Sequence, residues 1–226
     1  MADDNSTTWS AHLRILCMKY NIPNPLELLN EGVWNKSRWT TLVKTRITVY
    51  FETLLRQKAT LNSKMKYLNV QVQGLSGVPH PALLNITTTQ DALKLRHHLK
   101  LLSGDFLTAE RMALDTGSNP QCKLCSASVE STEHVVTMCR ATADIRGRLL
   151  PELLNTVLSV QPNCLIINSQ SQHLAQFVLD CTSLNLPAAY RIAAHNPRVS
   201  DVFRISRHWC FAISKARARI LKQLYK

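Results

Sequence analysis

The chain has 226 residues, 45% of them hydrophobic, and sets 27 lysines and arginines against 15 aspartates and glutamates for a formal net charge of +12 at pH 7. That length and composition are those of a folded protein, argue for no long disordered stretch, and allow one or two cored domains. A positive field of this size favours polyanions, and with no apolar run near the roughly 20 residues that span a bilayer, nucleic acid is the expected partner and a membrane is not.

The opening MADDNSTTWS is acidic and polar and does not read as a signal peptide. An amphipathic helix follows, with Trp9, Leu13, Leu16, Cys17 and Tyr20 on one face, ended by the Asn21-Ile22-Pro23-Asn24-Pro25 turn. A brief helix is expected at Leu26–Asn30 and a long one from Ser37, where Trp39, Val43, Ile47, Tyr50, Leu54, Leu61, Met65 and Leu68 fall near one face. Residues 36–66 hold eight basic side chains against Glu52 alone. Gly74, Gly77, Pro79 and Pro81 mark 69–90 as a loop and candidate linker, after an N-terminal basic segment over 1–68.

Helical periodicity resumes through Leu93, Leu95, Leu99 and Leu102, breaks at Ser103-Gly104-Asp105 and returns over Phe106–Leu114. His97 and His98 are adjacent, so they point to different faces of a helix, and a solvated or phosphate-facing pair is expected in preference to a metal pair. Then Cys122, Cys125, His134 and Cys139 read C-x2-C-x8-H-x4-C. Three thiolates and one imidazole at this spacing suit a structural, tetrahedral Zn²⁺. Ser131-Thr132-Glu133 is a helix start, and one helix is expected to run from there through His134 and Cys139 to about Leu149.

Pro151 is expected to open a further helix, His173–Cys181 another, and 182–198 a loop. The last helix is the clearest. Val202, Ile205, Trp209, Ile213, Ala216, Ile220 and Leu224 form an apolar stripe, with Arg204, His208, Lys215, Arg219, Lys222 and Lys226 opposite and no acidic residue after Asp201. Strand signals are confined to Val70–Val72 and 164–167. The four cysteines outside the cluster, Cys17, Cys164, Cys181 and Cys210, lie among apolar neighbours and are expected to fill the core. The fold class expected is mainly α: helical bundles with a small CCHC knuckle inserted between helices, divided as 1–68, 69–90, 91–150 and 151–226.

Several stretches resemble the region downstream of the reverse transcriptase in non-LTR retrotransposon polyproteins: TWSAHLRILCMKYNIPNPLELL, LKLRHHLKLLSGDFLTAERMA, CKLCSASVESTEHVVTMCRATADIRGRL, FVLDCTSLNLP and VFRISRHWCFAISKARARIL. The knuckle with Glu133-His134 is the most specific of these. The resemblance implies zinc ligation by Cys122, Cys125, His134 and Cys139. It implies no polymerase chemistry, because the paired Asp3-Asp4 lacks a palm-domain context and Asp180 and Asp201 are too isolated for a nuclease cluster.

The expected function is a zinc-stabilised nucleic-acid-binding module, not an enzyme, in a reducing compartment, nucleus or cytoplasm. Phosphate contacts are expected from Lys94, Arg96, Lys100, Lys123, Arg140, Arg146 and Arg148, supplemented by Arg204, Lys215, Arg219 and Lys222. The partners would be RNA or DNA and a reverse-transcriptase core. The rival is a zinc-stabilised scaffold that docks on a polymerase core, using the 69–90 loop and Trp34.

Overall fold

The structure, a computed structural model, describes residues 8–24, 35–61, 65–69, 79–164 and 171–224. The brief helix expected at 26–30, Trp34, and nearly all of the strand signals at 70–72 and 164–167 lie outside them. The described residues are mainly α-helical, with a single isolated bridge between Gln121 and Val129 in place of any sheet. Seven α-helices occur among them: α1 (Trp9–Tyr20), α2 (Lys36–Leu61), α3 (Thr89–Leu102), α4 (Ala109–Thr116), α5 (Ala143–Val160), α6 (Ser171–Leu179) and α7 (Val199–Leu224).

The chain divides into two compact units, 1–57 and 58–226. In the first, Asn21 takes the left-handed conformation that stops α1, and the Ile22 amide returns to the Cys17 carbonyl at 2.8 Å. Tyr20 of α1 meets Tyr50 of α2 edge to face at 5.0 Å, and Lys19 lies over both rings. Cys17 is the buried residue of α1, whereas Trp9 at its start is 78% exposed.

The second unit is built around α7, which packs between α3 and α5. Val202, Ile205, Trp209 and Ile213 of its apolar stripe are fully buried and meet Leu101 and Leu102 of α3 and Leu149, Leu153 and Val157 of α5 in one core. Helix α3 begins at Thr89, two residues ahead of the segment boundary expected at 91, because Thr88 accepts the Asp91 amide at 3.0 Å and donates to its carboxylate at 2.7 Å. Cys164, Cys181 and Cys210 fill this core, as Cys17 does in the first unit.

Three expectations are corrected. The unit boundary falls at 57/58 and not in the 69–90 stretch, where His80, Pro81 and Ala82 are buried against the core and 87–90 are exposed. There the buried guanidinium of Arg207 donates to the carbonyls of Ala82 (2.8 Å) and Leu84 (3.0 Å). His80 Nδ1 accepts the Ala82 amide, and its Nε2 donates to Asp180 at 3.1 Å. Asp180 is a fully buried hub that also accepts from the Asn69 amide (2.7 Å) and from the Thr182 amide (3.0 Å) and hydroxyl (2.6 Å), with no second carboxylate among these partners. Second, Pro151 lies inside α5 and does not open a new helix. It lacks the amide that would bond Gly147, but the apolar spacing of Leu149, Leu153 and Val157 carries the helix through. Third, His98 is no surface group: it is fully buried and donates from Nε2 to the Leu179 carbonyl at 2.7 Å, while His97 stays half-exposed.

Candidate metal centre

The cluster is assembled from two short pieces of chain. In the first, Cys122 and Cys125 sit on a turn closed by the Ser126 amide to the Cys122 carbonyl (2.8 Å). The Cys122 amide bonds the Ser128 carbonyl at 2.8 Å, so the loop folds back beside the Gln121–Val129 bridge. The second piece departs from the single helix expected over 131–149. Residues His134–Met138 form one π-helical turn, Cys139 is out of the helix, and Arg140–Thr142 is a 3₁₀ turn leading into α5.

The π turn is what makes the His-x4-Cys spacing usable. An α-helix steps about 100° per residue, so residues five apart would diverge by about 140° around its axis. Here the Cys139 amide bonds the His134 carbonyl at 2.7 Å, an i to i+5 closure that brings both side chains to the same side. Arg146 then donates to the Cys139 carbonyl (2.6 Å) and to Thr142 Oγ1 (3.1 Å), fixing the exit from the turn.

The four ligand atoms all lie within 4.8 Å of one another. Cys122 Sγ and Cys139 Sγ are 3.9 Å apart, close to the edge of about 3.8 Å that a tetrahedron with Zn–S bonds near 2.3 Å requires. Cys125 Sγ is 3.2 Å from His134 Nε2, and the other ring nitrogen, Nδ1, is 2.7 Å from the Ser128 hydroxyl. Ser128 therefore fixes the ring so that Nε2 faces the sulfurs, the outer-shell support usual for a ligating histidine. The donor set, its convergence and its burial fit a structural Zn²⁺ held by Cys122, Cys125, His134 and Cys139.

Burial raises the thiol of Cys122 and pushes that of Cys139 up to about 12. It acts the same way on Cys125, but the backbone at Ala127 and the two neighbouring thiols outweigh it and bring this group below its ordinary value. A bound divalent cation supplies the positive charge that keeps such sulfurs as thiolates and ties the two pieces of chain together.

Two contacts that sequence reasoning missed join the knuckle to α7. Fully buried Glu130 accepts from Arg217 Nε (2.7 Å) and Nη2 (2.6 Å) through one oxygen, and its other oxygen is 3.4 Å from the Lys123 amide. The same guanidinium donates to the Leu107 carbonyl and stacks on Phe106. Trp209 Nε1 donates to the Val136 carbonyl within the π turn at 3.3 Å. Nothing in the local pattern marks Glu130 or Arg217, since their partnership spans 87 positions.

The structure sorts the expected phosphate-contacting residues into two groups. Arg204, Lys215, Arg219 and Lys222 are exposed along the outside of α7, with Arg96 and Lys100 exposed on α3, Lys94 part-exposed beside Asp91, and Arg148 exposed on α5 beside Asp144. Lys123, Arg140 and Arg146 belong to the knuckle, and Arg146 is half-buried on its own backbone.

Comparison with protein-family models, curated proteins and solved structures finds no match to this chain. The metal centre therefore rests on its own chemistry and geometry.

Proposed function

We propose that the chain is a nucleic-acid-binding module organised by one structural zinc, of the kind found downstream of the reverse transcriptase in non-LTR retrotransposon polyproteins, where it would hold template RNA or target DNA near the polymerase. The observation that carries this reading is that the helix clipped to the metal loop by Arg217 and Trp209 is the one that turns an acid-free row of cations outward. Zinc binding in such a small loop is partly folding free energy, so the metal would stabilise the surface and not act in chemistry. Four protein ligands fill a tetrahedral shell and leave no position for substrate or water, which supports a binding role over a catalytic one. All seven cysteines are free thiols, in keeping with a reducing compartment such as nucleus or cytoplasm, and no described helix is long and apolar enough to cross a membrane.

The test is metal content and binding measured together. Purified protein should carry about one zinc per chain, Cys122→Ser should carry almost none, and mobility-shift titrations should show sub-micromolar binding. Seven phosphate contacts would give a log–log salt slope of about −5 to −6. A metal-replete protein without zinc, or without measurable affinity at low salt, would overturn the reading. A second reading, a zinc-stabilised scaffold docking on a polymerase core, draws on the exposed Leu107 ahead of α4, Leu114 of α4, and Val129 and Met138 of the metal loop. It predicts salt-insensitive capture of a reverse-transcriptase core and no nucleic-acid affinity.

A further inference from the structure

Successive residues of an α-helix are about 100° apart, so Arg204, His208, Lys215, Arg219 and Lys222 fall within a stripe about 60° wide, and Arg217 points to the far side of α7. The stripe runs for about 27 Å at 1.5 Å per residue, most of one turn of a duplex. All five residues are exposed. Helix α3 extends the same sign of charge through Lys94, Arg96 and Lys100, whereas α5 sets Arg148 beside Asp144 and Glu152; His208 lies in the electrostatic reach of Lys94 from α3, of Arg148 and Glu152 from α5, and of Arg204 one turn away. His97 lies within reach of Arg96 and Lys100 and packs edge-on against Phe211 at 5.3 Å, while Lys215 covers the same ring at 5.0 Å.

We propose that the outer face of the α3–α7–α5 layer docks the backbone of a double-helical nucleic acid, and that His97 and His208 take up protons as phosphates arrive. This deepens the nucleic-acid reading above and rests on it.

A duplex is favoured over a single strand by what the face lacks. Single-strand surfaces offer aromatic rings on which bases stack. Among the described residues of the α7 stripe the one aromatic is Phe211, half-buried, with its ring occupied by Lys215 and His97. What remains is a row of four fixed cations, Arg204, Lys215, Arg219 and Lys222, along one helix, suited to the regular phosphate spacing of a duplex. The two histidines add a proton dependence. Burial and the surrounding cations lower both below the ordinary imidazole value, so they are mainly neutral in the free protein near pH 7. Phosphates placed on them reverse that balance, and linkage requires affinity to rise as pH falls.

The experiment is fluorescence anisotropy of the zinc-loaded chain with a labelled duplex of about two helical turns, and with a single strand of equal length. Salt is varied from about 50 to about 200 mM. The duplex should bind more tightly than the single strand, and Arg204→Gln/Lys215→Gln/Arg219→Gln should make the salt slope shallower by about 2 to 3. Arg111→Gln, a cation of α4 outside this face, should leave the slope unchanged. Between about pH 8 and about pH 6 the wild type should tighten about fivefold, and His97→Gln/His208→Gln should cut this below about twofold. Circular dichroism at each pH checks that the fold persists. If the triple variant fails to fold, the strand preference and the pH response of the wild type decide. Binding that prefers the single strand, ignores pH, or loses its salt slope through Lys123→Gln/Arg140→Gln while the α7 variant keeps it, overturns this surface and leaves the nucleic-acid reading standing. No binding of either strand form at about 50 mM salt overturns both.

Discussion

Glu130 and Arg217 show how one buried pair can decide the placement of a metal loop. Glu130 is wholly inside and holds the amide after Cys122, while Arg217 supplies its counter-charge from α7. Arg217→Met strands that carboxylate and is expected to cost about 3 to 5 kcal/mol. Glu130→Gln/Arg217→Met, which leaves no buried charge, should recover much of the loss in urea denaturation of the zinc-loaded protein. His98 makes a second prediction of this kind. Burial brings it down to about 4, despite the Leu179 carbonyl and nearby Asp180; His80, Arg207 and the Phe203 ring also face it. Its folded value is below the unfolded one near 6.5, so the unfolded chain takes up the proton first as pH drops. Its stabilising contribution is complete above about pH 6.5 and declines towards pH 4, by about 2 kcal/mol at pH 5. Denaturation at pH 7 and pH 5 should show that loss, and His98→Leu should flatten it.

Among the elements, the π turn and α5 are where local pattern and tertiary demand part company. The cysteine and histidine spacing was legible because metal ligation constrains residue type and separation together. The turn that serves it was not, since Ser131-Thr132-Glu133 opens a helix and only the i+5 closure at Cys139 shows that the helix must be distorted. The stripe of α7 was readable for the same reason as the metal ligands, a period repeated over many residues. Asp180 was not, because its four donors come from Asn69, His80 and Thr182, segments with no regular period of their own. Removing the metal should therefore unfasten residues 118–142 and spare the α3–α5–α7 packing. Hydrogen exchange with and without chelator should show the amides of Cys122, Ser126 and Cys139 losing protection while those of central α7 keep it. Within α5, Gly147 faces open space, with nothing within 4 Å of an added Cβ. Gly147→Ala should raise stability by about 0.5 to 1 kcal/mol, read as a higher denaturation midpoint.

At the scale of the molecule, all four ligands, Glu130 with Arg217, and the α3–α5–α7 core fall inside the 58–226 unit. A chain starting at Lys58 should accordingly fold, bind about one zinc, and unfold near the midpoint of the longer protein, as atomic absorption and calorimetry would check. The long reach from Glu130 to Arg217 also carries a consequence for synthesis. A ribosome adding about 5 to 20 residues per second delivers the knuckle well ahead of the guanidinium that will neutralise it, because 87 positions separate the two. For several seconds the nascent loop holds a lone anion with no dry enclosure to enter. The metal loop can gather its ligands early, but it locks only when the far end of α7 emerges, so an interrupted translation product would be a leaky zinc carrier.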